Sequence, residues 1–165
     1  MKNKMILIPV LILAIAIGTG TMILIDSKHS SNSRFKKEYG ESVPKGTSIV
    51  YLTNDEIIEA FDTDDKLVFI GSPSSDDTKK AISTLLTSAK NNGIDKIYYF
   101  DATETKDKTN KKLLERLNKK EIIMPTLFLI KDKKTNEIQE GITNNLQEKY
   151  DDIMIAYIMC TTPDC

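Results

Sequence analysis

From Ser48 onward the chain switches repeatedly between short apolar runs and helical stripes, and this alternation restricts its fold more than any other feature. Ser48–Leu52 (SIVYL) is a β-rich run. Thr53-Asn54-Asp55-Glu56 follows in capping-box form, with Thr at the cap and Glu three residues on. Ile57, Ile58 and Phe61 then supply the stripe of a short helix. Lys66–Gly71 (KLVFIG) reads as a strand buried on both faces. Ala81, Ile82, Leu85, Leu86 and Ala89 fall on one face of a helix predicted over Asp76–Asn91, which Asn92-Gly93 ends. Ile97–Phe100 is a second buried strand, Lys111–Asn118 a helix, and Thr126–Ile130 a strand. A weaker strand is expected at Glu137–Gln139, and Leu146 to Ile158 carries the stripe of a last helix. The order β-α-β-α-β-α-β-β-α calls for parallel crossovers first and an antiparallel hairpin last. An α/β fold with a central mixed sheet flanked by helices satisfies it.

The segment before this pattern has a different character. Met5–Ile25 (MILIPVLILAIAIGTGTMILI) carries no charge, and as a helix its roughly 21 residues at ~1.5 Å each would match a bilayer core. Lys2 and Lys4 precede it and Asp26 follows, which favours a cytoplasmic N-terminus and an extracytoplasmic remainder. The expectation is an N-terminal transmembrane helix over residues 1–25, placing the protein at the cell membrane as a single-pass chain. A cleaved signal peptide and secretion is the competing reading, since Ala14-Ile15-Ala16 and Gly18-Thr19-Gly20 offer small residues at suitable spacing. Residues 26–46 are polar, Ser-rich and aperiodic, with breakers at Gly40, Pro44 and Gly46, and read as a flexible tether. The only histidine, His29, falls in it and reads as a solvated linker residue. The folded domain is expected over residues 47–165.

Charge excludes one class of partner. With 23 Lys and Arg against 24 Asp and Glu, the chain lacks the one-signed basic surface that nucleic acid requires.

Two segments carry a family resemblance. Ile123-Met124-Pro125-Thr126-Leu127-Phe128, followed by Lys131-Asp132-Lys133, looks like the segment in which thioredoxins place a cis-proline before a strand and a charged hairpin. Lys66–Gly71 followed by a Pro-containing loop and a helix start looks like the segment that carries their Cys-x-x-Cys. The chain therefore resembles the thioredoxin fold over roughly residues 48–158. It is most similar to small Gram-positive membrane-anchored members of the bacteriocin-transport-accessory kind.

The resemblance implies a loop without its chemistry. Ser75 stands at the first cysteine and Thr78 at the second, and neither can form a disulfide. Asp76 and Asp77 would raise the pKa of any thiolate there. Many thioredoxins bury an acidic residue six positions before the first cysteine, and here that position is Phe69. Redox activity at this loop is not expected. Read from the residues alone, Ser74 to Thr78 is a helix-capping segment, because Ser and Asp satisfy free N–H groups and complement the helix dipole. The resemblance adds a second reading, in which Met124, Pro125 and Thr126, with Ser75 and Thr78, keep a groove that receives an extended chain by strand addition. A serine nucleophile is disfavoured, because no histidine in the domain could activate Ser75.

Cys160 and Cys165 close the chain as CTTPDC. Outside the cytoplasm their spacing permits a bridge worth about 2 kcal/mol in the chain-entropy account. A displaced redox pair and an intermolecular bridge are the alternatives. Two thiolates without histidine are too few ligands for a metal, so no metal and no cofactor is expected. Three functions fit. The first is a non-catalytic polypeptide-binding or accessory module for export or maturation, with exported polypeptides as partners. The second is a thiol-disulfide oxidoreductase working through Cys160 and Cys165. The third is a subunit of a membrane complex.

Overall fold

A computed structural model describes residues 30–63 and 65–161. After a helical segment over residues 30–39 (α1), the chain forms β1 (Ser48–Leu52), α2 (Glu56–Glu59, continued by a short turn of 3-10 helix), β2 (Lys66–Gly71) and α3 (Asp76–Asn91). It continues through β3 (Lys96–Asp101), α4 (Asp107–Leu117), β4 (Thr126–Lys131), β5 (Lys134–Glu140) and α5 (Leu146–Thr161). The five strands form one sheet in the order β1-β3-β2-β4-β5. β1, β3 and β2 are parallel, whereas β4 and β5 run antiparallel to their neighbours. This is the mixed α/β sheet that the alternation of periods predicts.

The sheet divides the core in two. On one face, the stripe Ala81, Ile82, Leu85, Leu86 and Ala89 of α3 meets Leu146, Tyr150, Ile153 and Met154 of α5 over Leu67, Phe69 and Leu127. On the other, Ile57, Ala60 and Phe61 and the α4 residues Leu113 and Leu117 cover Val68, Ile70, Phe128 and Ile130. Consecutive β2 residues thus feed opposite faces, which is why KLVFIG is apolar almost throughout. Local signals set the element ends. The Thr53 amide donates to Glu56 at 2.8 Å and the Glu56 amide donates to Thr53 Oγ1 at 3.3 Å, the reciprocal capping box expected at α2. These bonds hold the Glu56 carboxyl below its ordinary pKa.

Three boundaries differ from expectation. Helix α4 starts at Asp107 rather than Lys111, its first turn fixed by the Lys106 amide donating to Asn54 Oδ1 at 2.9 Å. Strand β5 starts at Lys134 rather than Glu137 because Asp132 and Lys133 both take positive φ (51° and 64°) in a tight hairpin turn.

The third difference corrects the tether. Residues 30–39 form a docked helix rather than an open linker. Phe35 is fully buried, 4.8 Å from the Tyr39 ring and edge-on to Tyr99 at 5.7 Å. The Tyr39 and Tyr99 hydroxyls share a hydrogen bond of 2.6 Å, and burial raises the pKa of both. Asn32 occupies the free edge of β1, its amide donating to the Thr47 carbonyl at 3.1 Å and accepting from the Ile49 amide at 2.8 Å. α1 therefore runs beside β1 from Thr47 toward Tyr51, where Arg34 lies over the ring at 4.1 Å and Glu38 accepts from the hydroxyl at 2.5 Å. The apolar run Met5–Ile25, His29 and Cys165 lie outside the described residues. No helix among the described residues is long and apolar enough to cross a membrane.

Candidate functional site

The two segments singled out in the sequence meet at one end of the sheet. Ile70 of β2 is paired with Thr126 of β4, so Gly71 leaves β2 beside the point where Pro125 enters β4. This is the carboxyl end of the parallel strands, where open α/β sheets commonly place ligands.

The Gly71–Thr78 segment is closed by its own bonds. Ser75 caps α3, its hydroxyl accepting from the Thr78 amide at 3.2 Å. The Ser75 amide donates back to the Ser72 carbonyl at 3.0 Å, and the Ser74 amide donates to Ser72 Oγ at 3.2 Å. Thr78 is fully buried, and its Oγ1 accepts from the Ser72 amide at 3.3 Å. The fit is tight: a Cβ at Gly71 would lie 2.6 Å from Thr78 Cγ2 and 3.0 Å from the Phe69 ring. Phe69 itself is fully buried, near parallel to Tyr99 at 6.2 Å and edge-on to Tyr150 at 6.5 Å. An aromatic cluster thus surrounds Phe69, where no buried carboxylate is expected from the resemblance. Asp76 and Asp77 point outward and pair with Lys79 at 3.7 Å and Lys80 at 3.1 Å. No histidine stands among the described residues to act as a base toward Ser75.

The opposing segment is built differently. The Met124–Pro125 peptide bond is cis. Pro125 is buried and its carbonyl accepts from the Gly141 amide at 2.8 Å, which extends the β4–β5 pairing by one step. Thr126, also fully buried, donates its hydroxyl to the Ile123 carbonyl at 2.7 Å. These two bonds hold the turn and leave apolar side chains outside it. Ile123 is 50% exposed and Ile142 44% exposed. The Ile123 methyl lies 3.4 Å from where a Cβ on Gly141 would stand, which brings the two isoleucines to the same rim. Met124 lines a cleft of about 340 Å³ whose apolar wall is Ala102, Leu114 and Ile122.

Sequence reasoning thus brought Ser75, Thr78, Met124, Pro125 and Thr126 to one place, and it missed Ile142. The missing signal was Gly141, whose positive φ of 66° turns the chain back beside Pro125. Cys160 lies elsewhere. It is half-buried near the end of α5 and packs against the core face that carries α3 and α5. The last turns of α5 line a cleft with Asn92, Gly93, Ile94 and Asp95, at the amino end of the strands. Cys165, and with it any test of the expected bridge, lies outside the described residues.

The sequence matches no protein-family model and no curated protein. In structure, the chain is similar to the thioredoxin of Malassezia sympodialis, at 14% identity and a TM-score of 0.50, over 69% of this chain and 96% of that one. It is also similar to a mutant thioredoxin from Halobacterium salinarum, at 17% identity and a TM-score of 0.48, over 71% and 96% of the two chains. Mitochondrial thioredoxin 3 of Saccharomyces cerevisiae gives 17% identity and a TM-score of 0.47, over 64% and 92%. The chain has a thioredoxin-like fold, with a mixed sheet flanked by helices.

Proposed function

We propose, starting from a thioredoxin-like fold with Ser75 and Thr78 where a dithiol would stand, that this chain is a non-catalytic polypeptide-binding module. It is anchored in the cell membrane through Met5–Ile25 and works on the extracytoplasmic side as an accessory to export or maturation, akin to the small Gram-positive group it resembles. The observation that carries this reading is the contrast at the carboxyl end of the sheet. In the Ser72–Thr78 segment the serines and Thr78 are bonded to one another, whereas Ile123, Met124 and Ile142 turn apolar surface outward beside Pro125. An extended client would lie along that rim, its backbone beside Met124 and its apolar side chains against the two isoleucines.

The test is binding of fluorescein-labelled extended peptides, with alternating apolar residues, to the full chain in detergent micelles. Saturable binding that falls at least tenfold in Ile123→Lys is expected. Binding unchanged in that variant, or absent from the wild type, would refute the reading. An insulin-reduction assay on the same preparation should give no turnover.

A second reading has its own observation. Ile155 and Met159, four residues apart on α5, are 46% and 60% exposed and lie away from the Pro125 rim. They favour a role as a subunit of a membrane complex, which co-purification of a stoichiometric membrane partner would establish.

A further inference from the structure

We propose that the amino end of the sheet is a docking surface for anionic lipid headgroups, which holds the domain with its Pro125 rim turned away from the bilayer. The inference rests on the anchoring reading above and adds an orientation to it.

The chain approaches the domain at this end. Only residues 26–29 separate the apolar run from the described part of α1, and four residues span at most about 14 Å when extended. α1 is not free to swing, because Asn32 is bonded to Thr47 and Ile49 at the start of β1 and Phe35 is buried. A membrane-inserted Met5–Ile25 would therefore hold the amino end within a short leash of the headgroups, and the carboxyl end on the far side of the sheet.

The charges at this end fit such a neighbour. The register Lys66↔Ile130 and Lys131↔Lys134 sets the β4–β5 turn at the amino end of β2, and the register Ser48↔Lys96 sets the start of β3 beside the start of β1. Lys90 ends α3 just before the Ile94 amide reaches back to Ala89, and Lys45 precedes β1. Lys45, Lys90, Lys133 and Lys134 are all exposed here, against the exposed acids Asp95 and Asp132 and the half-buried Asp65. Lys66 and Lys96 flank the Tyr98 ring at 5.2 and 5.8 Å, which brings two further cations and an aromatic ring to the same end. The last turns of α5 add Tyr157 and Ile158 to the same end. Lysines with interspersed apolar and aromatic side chains are what an anionic interface attracts, and the overall charge of −1 makes their gathering at one end a matter of placement rather than composition.

The wild-type full chain tests this without substitution. It would be reconstituted into vesicles of phosphatidylcholine alone or mixed with phosphatidylglycerol, treated with a membrane-impermeant amine reagent, and read lysine by lysine by mass spectrometry. Severalfold slower modification of Lys90, Lys133 and Lys134 in the anionic vesicles is expected, with Lys79, Lys80 and Lys120 reacting at the same rate in both. Equal rates at the two ends, or the same protection in neutral vesicles, would overturn the docking surface while leaving the anchor standing. Release of the chain from vesicles by alkaline carbonate would overturn the anchor and the inference together.

Discussion

The two segments that meet at the carboxyl end of the sheet, Gly71–Thr78 and Ile123–Thr126, start from the same position in the fold and spend their polar groups differently. In the first, side chains satisfy backbone: Ser72, Ser75 and Thr78 take up the amides of Ser74, Thr78 and Ser72 in turn. In the second, one backbone pairing and one hydroxyl fix the turn, and the apolar side chains are left outside. A loop that once needs a reactive group must leave that group exposed and underused; a loop that needs only surface can be rigid underneath. Gly71–Thr78 buries Ser72 and Thr78 and leaves only polar side chains exposed, whereas Ile123–Thr126 buries Pro125 and Thr126 and leaves the apolar Ile123 exposed. On the proposed reading, the loop after β2 and the client-holding rim before β4 are separable, because they lie on different strands.

The largest effect should come from forcing the first segment open. In Gly71→Ala the new methyl meets Thr78 Cγ2 and the Phe69 ring, both buried, and stability should fall by about 2–3 kcal/mol in urea unfolding. Thr78→Ser deletes the crowding methyl and keeps the hydroxyl, so it should recover part of that loss. A double-mutant cycle showing no coupling would mean that the segment is looser than the contacts imply.

A smaller effect separates the segments directly. Ser75→Ala removes the α3 cap and should destabilise by about 1 kcal/mol. Ile123→Ser removes a half-exposed side chain and should change stability by no more than about 0.5 kcal/mol while weakening peptide binding. Equal destabilisation by the two would erase the distinction between interior and surface.

The smallest effect concerns reactivity. A thiol introduced as Ser75→Cys lies at the N-terminus of α3, which lowers its pKa, but beside Asp76 and Asp77, which raise it. Adding Asp76→Asn should lower that pKa by roughly a few tenths of a unit, since an exposed charge is well screened. The alkylation rate as a function of pH reads it. No change would show that the helix terminus alone governs the site.

The sequence displayed the strands and the long helices because their apolar residues recur at one period each. It displayed Ser75 as a cap because Ser followed by two Asp has a local purpose. It concealed α1, whose only apolar pair is Phe35 and Tyr39 in a stretch of Ser and Lys. That helix owes its existence to Tyr99 and to the edge of β1, partners far away in the chain, and local propensity carries no trace of them. The Arg34–Glu38 pair at i,i+4 was the one local hint. Ile142 was hidden for the same reason, since its place beside Ile123 follows from a backbone bond between Gly141 and Pro125.

Asn32 has a consequence for assembly. By bonding the Thr47 carbonyl and the Ile49 amide it blunts the start of the outer edge of β1, at the margin of the sheet opposite β5. A sheet that can be extended on both sides can polymerise without limit, copy upon copy. One that is sealed on a single side can accept one further strand and then stops. Two copies meeting β5 to β5 would make a closed pair related by a two-fold axis, with a blunted edge at each end. Pairing through β5 alone would therefore be finite.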